Sequence, residues 1–552
     1  MTVDRASKPT DPVTSSAFAR PLAVLLLSLS ALVLTLAVAP GIVAGSERSG
    51  EAAAPQGPLD EANGTTEVVV RFTPVADPDQ LGEPEGDGSA AVSDLHAHAA
   101  SEQSTFEAFA ASHPDVSVER EFWLANAMLV TVDTDAVERS ELVSVDNVTG
   151  IHENVEIEAI GATNTVDPAP TGATELEPAP AQIDAEPSGA YTSGLRLVDA
   201  PAAWDQFDTR GAGATVAVID TGVDPGHQDI ELSGWASFDE NGTVVSDDLA
   251  DATDPQGHGT HVAGTVAGGD ASGTHIGVAP DAELHALNTF GENDTATFAG
   301  VLAAMEHGTV RSDADVLQMS LGASGTFRGF IAPVRNARAT GTIVVAAAGN
   351  EGANTSSAPG NVYDALSVGA VDENREVAAF SSGQPINATA AYGTYPDDWP
   401  AHYVVPDVTG PGVAVISAEA GTTDGYVRQQ GTSMAAPHVS GIAALAIAAT
   451  DGRVNDSTLQ AAIVDTAVHP AGATEPDDRH GHGVVDAPAA VGAAVDATPP
   501  EPEPTEAGDD EPTADDSSTN GNASGFDAIT AFIALSVLLS VTSVLSRRSR
   551  HP

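Results

Sequence analysis

Four residues far apart in the chain carry side chains that together suit nucleophilic attack on a carbonyl. Ser433 stands in GTSMAAPHVSG (431–441), and the apolar run GIAALAIAAT continues from there to Thr450. A run apolar on nearly every face predicts a buried helix, with Ser433 in its first turn. Helix starts gather unpaired N–H groups and the positive end of the helix dipole, which favour a developing negative charge. The same position suits an ordinary serine N-cap, so Ser433 needs partners before a chemical role follows. His258 lies between glycines in QGHGTHVAG, Asp220 ends the apolar run of VIDTG, and Asn350 ends AAAGN. A serine hydroxyl becomes a nucleophile when a histidine takes its proton and a carboxylate fixes that histidine's tautomer and charge. The oxyanion formed next needs fixed donors, for which the Asn350 amide and the Ser433 backbone N–H are candidates. These residue types support acyl transfer.

Such groups need rigid supports. Between residues 191 and 497 the apolar runs ATVAVID (214–220), ELHALN (283–288), DVLQMSL (315–321), TIVVAAAGN (342–350) and ALSVGAV (365–371) are separated by helix-length segments. Runs apolar on both faces that alternate with helices predict an α/β domain, a mostly parallel sheet with helices on both faces. Chemistry in such a sheet gathers at the carboxyl ends of the strands, where Asp220 and Asn350 fall. Residues 67–160 predict a smaller α+β domain: strand 67–73, helix 91–113, two short strands within 120–133, short helix 135–143 and strand 150–157. That β-α-β-β-α-β order is ferredoxin-like. Residues 46–66 and the acidic, Pro-rich 161–190 predict linkers, and 498–525 an extended acidic stalk.

The apolar residues 21–44, preceded by Arg5, Lys8 and Arg20, predict a signal peptide or signal anchor within 1–45. No Arg pair precedes them, which favours the general secretion route. Residues 528–545 precede the basic end RRSRHP, so 526–552 predicts a transmembrane or sorting segment with everything before it outside the cell. The chain has 79 acidic and 20 basic residues among 552, a net charge of −59 and a single lysine. That charge excludes a nucleic acid partner. Its spread through the folded segments predicts adaptation to high salt, where self-repulsion is screened. With no cysteine, neither disulfides nor thiol chemistry enter.

VIDTGVD, GHGTHVAG, AAAGNEG and GTSMAAPHV resemble, in order, the motifs of the subtilisin-like (subtilase) serine endopeptidases, in a halolysin-like, haloarchaeal form. The order Asp, His, Ser is that family's. The resemblance covers residues 194–497 and implies a triad of Asp220, His258 and Ser433 with Asn350 at the oxyanion. It implies a propeptide at 67–160, with LANAMLVTVD as its central strand, that chaperones and inhibits its own enzyme and is cut away within 158–192. Protein or peptide substrates would pair as a strand with Ser320, Leu321 and Gly322 on one side and the loop 291–295 on the other. Ala347, Ala348 and Gly349 would line the pocket for the side chain before the cut. No cofactor is implied for the chemistry. Structural calcium is implied at Asp229 and at the loop 268–275, where Asp270 stands beside Ala271 in the usual ligand position. His261, which makes H-x-x-H with His258 but lacks the further ligands a zinc site needs, and His480 with His482 read as structural rather than zinc-binding. The C-terminal end resembles a haloarchaeal surface-sorting signal, with Ser524-Gly525-Phe526 for Pro-Gly-Phe, so the membrane link is the helix or a lipid that replaces it. The insertion at 381–406 has no assigned place. A degenerate, non-catalytic binding protein and a maturation protease with one partner substrate are the rival readings.

Overall fold

The computed structural model describes residues 64–160 apart from 79–80 and 82–87, residues 183–184, and residues 187–498 apart from 292–293 and 471–475. The leader, most of the 161–190 linker, the stalk and the 526–552 segment lie outside the described residues.

The first domain comprises β1 (Thr65–Phe72), α1 (Ser89–Ser112), β2 (Val116–Phe122), β3 (Ala127–Asp133), α2 (Arg139–Val143) and β4 (Val148–Glu153). Its antiparallel sheet has the order β2-β3-β1-β4. Side chains alternate across a strand, so Val68, Val70 and Phe72 of β1 pack with Phe106 of α1. Val69, with Leu129 of β3, faces the opposite way, into a core shared with the second domain. The helix predicted from 135 begins only at Arg139, because the Asp133 carboxylate accepts the Asp135 N–H at 3.0 Å and holds a competing turn. The strand predicted at 150–157 divides into β4 and β5 (Glu156–Ala159). Asn154 separates them: its Oδ1 accepts the Ala299 N–H at 3.0 Å and its Nδ2 donates to Glu240 O at 3.3 Å. The chain is thereby turned onto the second domain.

The second domain is built on an eight-stranded sheet. Its order runs Val408–Pro411, Leu366–Val371, Ile343–Ala347, Val316–Met319, Thr215–Asp220, Glu283–Asn288, Gly234–Phe238 and Val244–Ser246. Neighbours are parallel except for the last pair. All five predicted runs form strands, with the run 283–288 unchanged and the others trimmed by up to three residues at an end. Val216 and Val218 face one core with the helix Thr432–Ala449, and Ala217 and Ile219 face the other with the helix Phe298–Val310. Helices on both faces explain why these strands lack polar alternation. The first domain adds Phe122, Leu124 and Ile157 to that second core, all fully buried. Burying each contributes about 1.5–3 kcal/mol, so apolar contact dominates the docking of the two domains. Among the described residues, the one helix long and apolar enough to cross a membrane is the core helix Thr432–Ala449. The insertion forms an antiparallel hairpin, Gln384–Asn387 with His402–Val405. Trp399 within it is buried and donates to Asp364 at 2.7 Å.

Candidate active site

Asp220 is the last residue of its strand and is buried. Its Oδ1 lies 2.7 Å from Nδ1 of His258, the first residue of the helix His258–Ala267. The chain enters that helix through Gly257 at φ 82°, a backbone state that favours glycine. Asp220 Oδ1 also accepts the Thr221 N–H at 2.7 Å, which fixes the carboxylate. His258 Nε2 is buried and has no hydrogen-bond partner among the described residues. Burial alone pulls the His258 pKa down, but the charge and hydrogen bond of Asp220, helped by Asp254, outweigh it and raise the imidazole above its ordinary value. This ring is therefore held by a carboxylate on one nitrogen and left open at the other, the arrangement of a general base.

Asp254, which no motif singled out, braces this corner. Its carboxylate accepts from Thr221 Oγ1 at 2.9 Å, from Thr260 N at 2.8 Å and from Thr260 Oγ1 at 2.6 Å, while Thr221 Oγ1 accepts the Gly259 N–H at 2.9 Å. The strand end and the helix start are tied together through it. In sequence it is one acid in an Asp-Pro turn, indistinguishable from a surface carboxylate.

Ser433 is the second residue of the helix Thr432–Ala449, fully buried. Pro437 sits inside this helix and has no N–H to give to the carbonyl four residues back. That carbonyl belongs to Ser433, and Ser320 Oγ donates to it instead at 2.8 Å. Gln318 Nε2 donates to Ser320 Oγ at 2.8 Å and Ser440 Oγ to Gln318 Oε1 at 2.5 Å, completing a buried relay that positions the serine. Asn350 is oriented with equal definition. Its Oδ1 accepts from Thr432 N at 2.9 Å and Thr432 Oγ1 at 3.0 Å, so its Nδ2 must point the other way.

That amide points at Ile160. Asn350 Nδ2 donates to Ile160 O at 3.1 Å, and Ser433 Oγ donates to the same oxygen. The segment leading there, β5, lies antiparallel between two strands of the second domain. Glu156, Ile157 and Glu158 pair with Thr297, Ala296 and Thr295, while Glu158 and Ala159 pair with Gly322 and Leu321. Ile160 N–H donates to Ser320 O at 2.9 Å. The Ser320-Leu321-Gly322 edge thus pairs with the first domain's own segment, and the opposite edge is Thr295–Thr297, which begins at the last residue of the loop 291–295. Ile160 packs in the same apolar cluster as Ala347. A Cβ on Gly322 would come within 3.0 Å of Ile160 Cδ1, so that glycine leaves room for the isoleucine. Ser382 N–H donates to Gly349 O at 3.0 Å, which ties the start of the insertion to the small-residue wall 347–349.

The other histidines lie away from this site, and His469, Asp477 and His480 bring ligand atoms within 4.8 Å of one another. His261 Nε2 is 3.0 Å from Val415 O, and burial first of all pushes its pKa down to about 3. His438 is similarly lowered to about 4 by burial and bonds Met434 O at 2.8 Å. His480 lies with His469 near Asp477, whose Oδ2 is 2.8 Å from His469 Nε2 and 3.8 Å from His480 Nδ1. The residues offered for calcium fit poorly. Asp229 Oδ2 accepts from Tyr426 Oη at 2.5 Å and Oδ1 from Ala271 N at 2.6 Å, so protein donors already hold both oxygens. Asp270 is exposed and turned toward His275, 3.4 Å away.

Comparison with known proteins agrees with this geometry. The subtilase family (peptidase S8) matches residues 211–483. Subtilisin DY of Bacillus licheniformis is 38% identical over 240 residues, covering 43% of this chain and 77% of that protein. An alkaline protease of Shouchella clausii is 36% identical over 305 residues, 53% of this chain and 72% of its own length. Alkaline elastase YaB of Bacillus sp. (strain YaB) is 36% identical over 284 residues, 51% and 67% respectively. Similarity of this extent, reaching across the sheet and through the helix that bears Ser433, shows that the chain belongs to the subtilase family of serine endopeptidases.

Proposed function

We propose that the chain is the precursor of a secreted, surface-tethered and salt-adapted endopeptidase that cuts itself between Ile160 and Gly161. The observation that carries this reading is the Ile160 carbonyl, which receives both the Asn350 amide and the Ser433 hydroxyl at the end of a strand paired on both edges. The first domain is then a ferredoxin-like propeptide whose tail fills the cleft of its own enzyme. Main-chain pairing of this kind gives affinity with little dependence on sequence, which supports broad action on protein and peptide substrates. The small walls at Ala347, Ala348 and Gly349, with Ile160 beside them, favour an apolar side chain before the cut. Tethering rests on the segment 526–552, and secretion on the leader and on the resemblance to alkaline proteases.

The mechanism follows from the residues. Ser433 Oγ attacks the Ile160 carbonyl carbon while its proton passes to His258 Nε2, and Asp220 stabilises the imidazolium that results. The negative oxygen of the tetrahedral intermediate is held by the Asn350 amide. Collapse breaks the bond to Gly161, whose nitrogen takes the proton from His258. This leaves Ile160 esterified to Ser433. Water, deprotonated by His258, then attacks the ester, releases an Ile160 carboxylate and restores the serine. The test is the Ser433→Ala chain, which should remain whole, together with mass measurement of the propeptide freed from the parent, which should end at Ile160. A fragment ending elsewhere within 158–192 would refute the assignment of the bond. Normal cleavage of pure Ser433→Ala protein would refute self-processing itself.

A further inference from the structure

With only 20 basic residues against 79 acidic ones, cations gathered together with no carboxylate among them are unexpected in this chain. Three share one cavity. It has a volume of about 450 Å³ and is lined by Arg71, Arg139, Gly150 and His152 of the first domain and by Arg328 and Thr389 of the second. Among the described residues none of these arginines takes part in an ion pair, as is also true of Arg120, Arg196, Arg210, Arg375, Arg428 and Arg479; what sets the three apart is that they share one cavity whose lining holds no carboxylate. The Nε atoms of Arg71, Arg139 and Arg328 are all sealed from solvent without an acceptor. Arg139 Nη2 reaches one backbone oxygen, Ile151 O, at 3.3 Å. Burial, and after it the charge of Arg328, lowers the Arg71 pKa to about 10. His152, pushed down to about 3 by burial and then by Arg71, is neutral and adds no further positive charge. A Cβ on residue 150 would lie 2.6 Å from Arg71 Nη2, so Gly150 makes the space in which that guanidinium sits.

Half-buried cations gathered across a domain boundary, with Arg328 acting on Arg71, oppose docking unless an anion joins them. We propose that this cavity binds a tetrahedral oxyanion of the sulfate or phosphate class, bridging Arg71 and Arg139 of the first domain to Arg328 of the second. Guanidinium forks match such an anion's several acceptors, and each bond is charge-assisted. The anion then strengthens the hold of the first domain on the second.

The experiment uses the full-length Ser433→Ala chain in molar potassium chloride, with length verified by mass and total ionic strength held constant. Equilibrium dialysis with labelled sulfate, and separately labelled inorganic phosphate, should give one bound anion per chain. Tm should rise saturably over the same titration. Arg139→Gln and Arg328→Gln should each raise the half-saturating concentration about tenfold or more, the scale of one lost charge-assisted bond. A Tm that climbs without saturation, equally in parent and variants, is the general salting effect of sulfate and overturns the proposal. Failure of the unsubstituted chain to retain either labelled anion also overturns it, and points to a carboxylate of the chain as the occupant.

Discussion

At the residue scale, Asp220 determines which form of His258 is present. Because the Asp220 charge outweighs burial, the imidazole titrates above its ordinary value of 6.5. Only the neutral ring can accept the serine proton, so kcat/KM should fall as pH is lowered through a midpoint above 6.5. Asp220→Asn removes the charge and leaves burial dominant. Its acid limb should therefore move to lower pH, while kcat drops about ten-thousandfold. A limb that stays in place would show that the carboxylate does not set the titration. Asp220, His258, Asn350 and Ser433 were legible because each stands in a motif whose neighbours are constrained by the same close packing. Asp254 was not legible, since its hydrogen bonds form only once the strand end and helix start are adjacent. Ile160 was legible only as part of a range: which residue meets Ser433 depends on strand register, and register is fixed by tertiary contacts.

At the element scale, the five middle strands of the sheet followed from continuous apolar runs, because they are buried on both faces, whereas the edge strands Val408–Pro411, Gly234–Phe238 and Val244–Ser246 did not. The division of β4 from β5 did not follow, because the break at Asn154 is made by bonds to the second domain. The helix Phe298–Val310 carries a further consequence of that docking. Glu306 on this helix accepts the Leu124 N–H at 3.0 Å, and burial raises its pKa to about 7, over the opposing effects of that bond and of Arg120. The native chain thus holds a proton there that the unfolded chain releases near its ordinary value of 4.5. The Glu306 contribution to stability therefore falls as pH rises from 4.5 toward about 7 and is flat above, while His152, His261 and His438, lowered by burial, act in the opposite sense below 6.5. Glu306→Gln should flatten part of that decline, as read from Tm of the uncleaved Ser433→Ala chain between pH 4.5 and 8. Asp407, raised to about 7 by burial, contributes with the same sign and remains in the variant. Identical pH slopes would remove Glu306 from the account.

At the scale of the whole molecule, the proposed salt adaptation requires that a net charge of −59 be screened, over a length that grows from about 3 Å at 1 M salt to about 10 Å at 0.1 M. Dilution from molar to 0.1 M salt should lower Tm and reduce near-ultraviolet circular dichroism together; full retention of both would refute salt adaptation. One consequence of the β5 seating concerns the kinetic order of maturation. Ile160 reaches Ser433 of the same polypeptide through a strand already paired on both sides, so the scissile bond and its nucleophile meet without any collision between molecules. Conversion of the precursor should be first order. Its half-time should be the same at nanomolar and micromolar protein, and a trace of mature enzyme should not shorten it. A half-time that lengthens in proportion to dilution would mean that one copy cuts another.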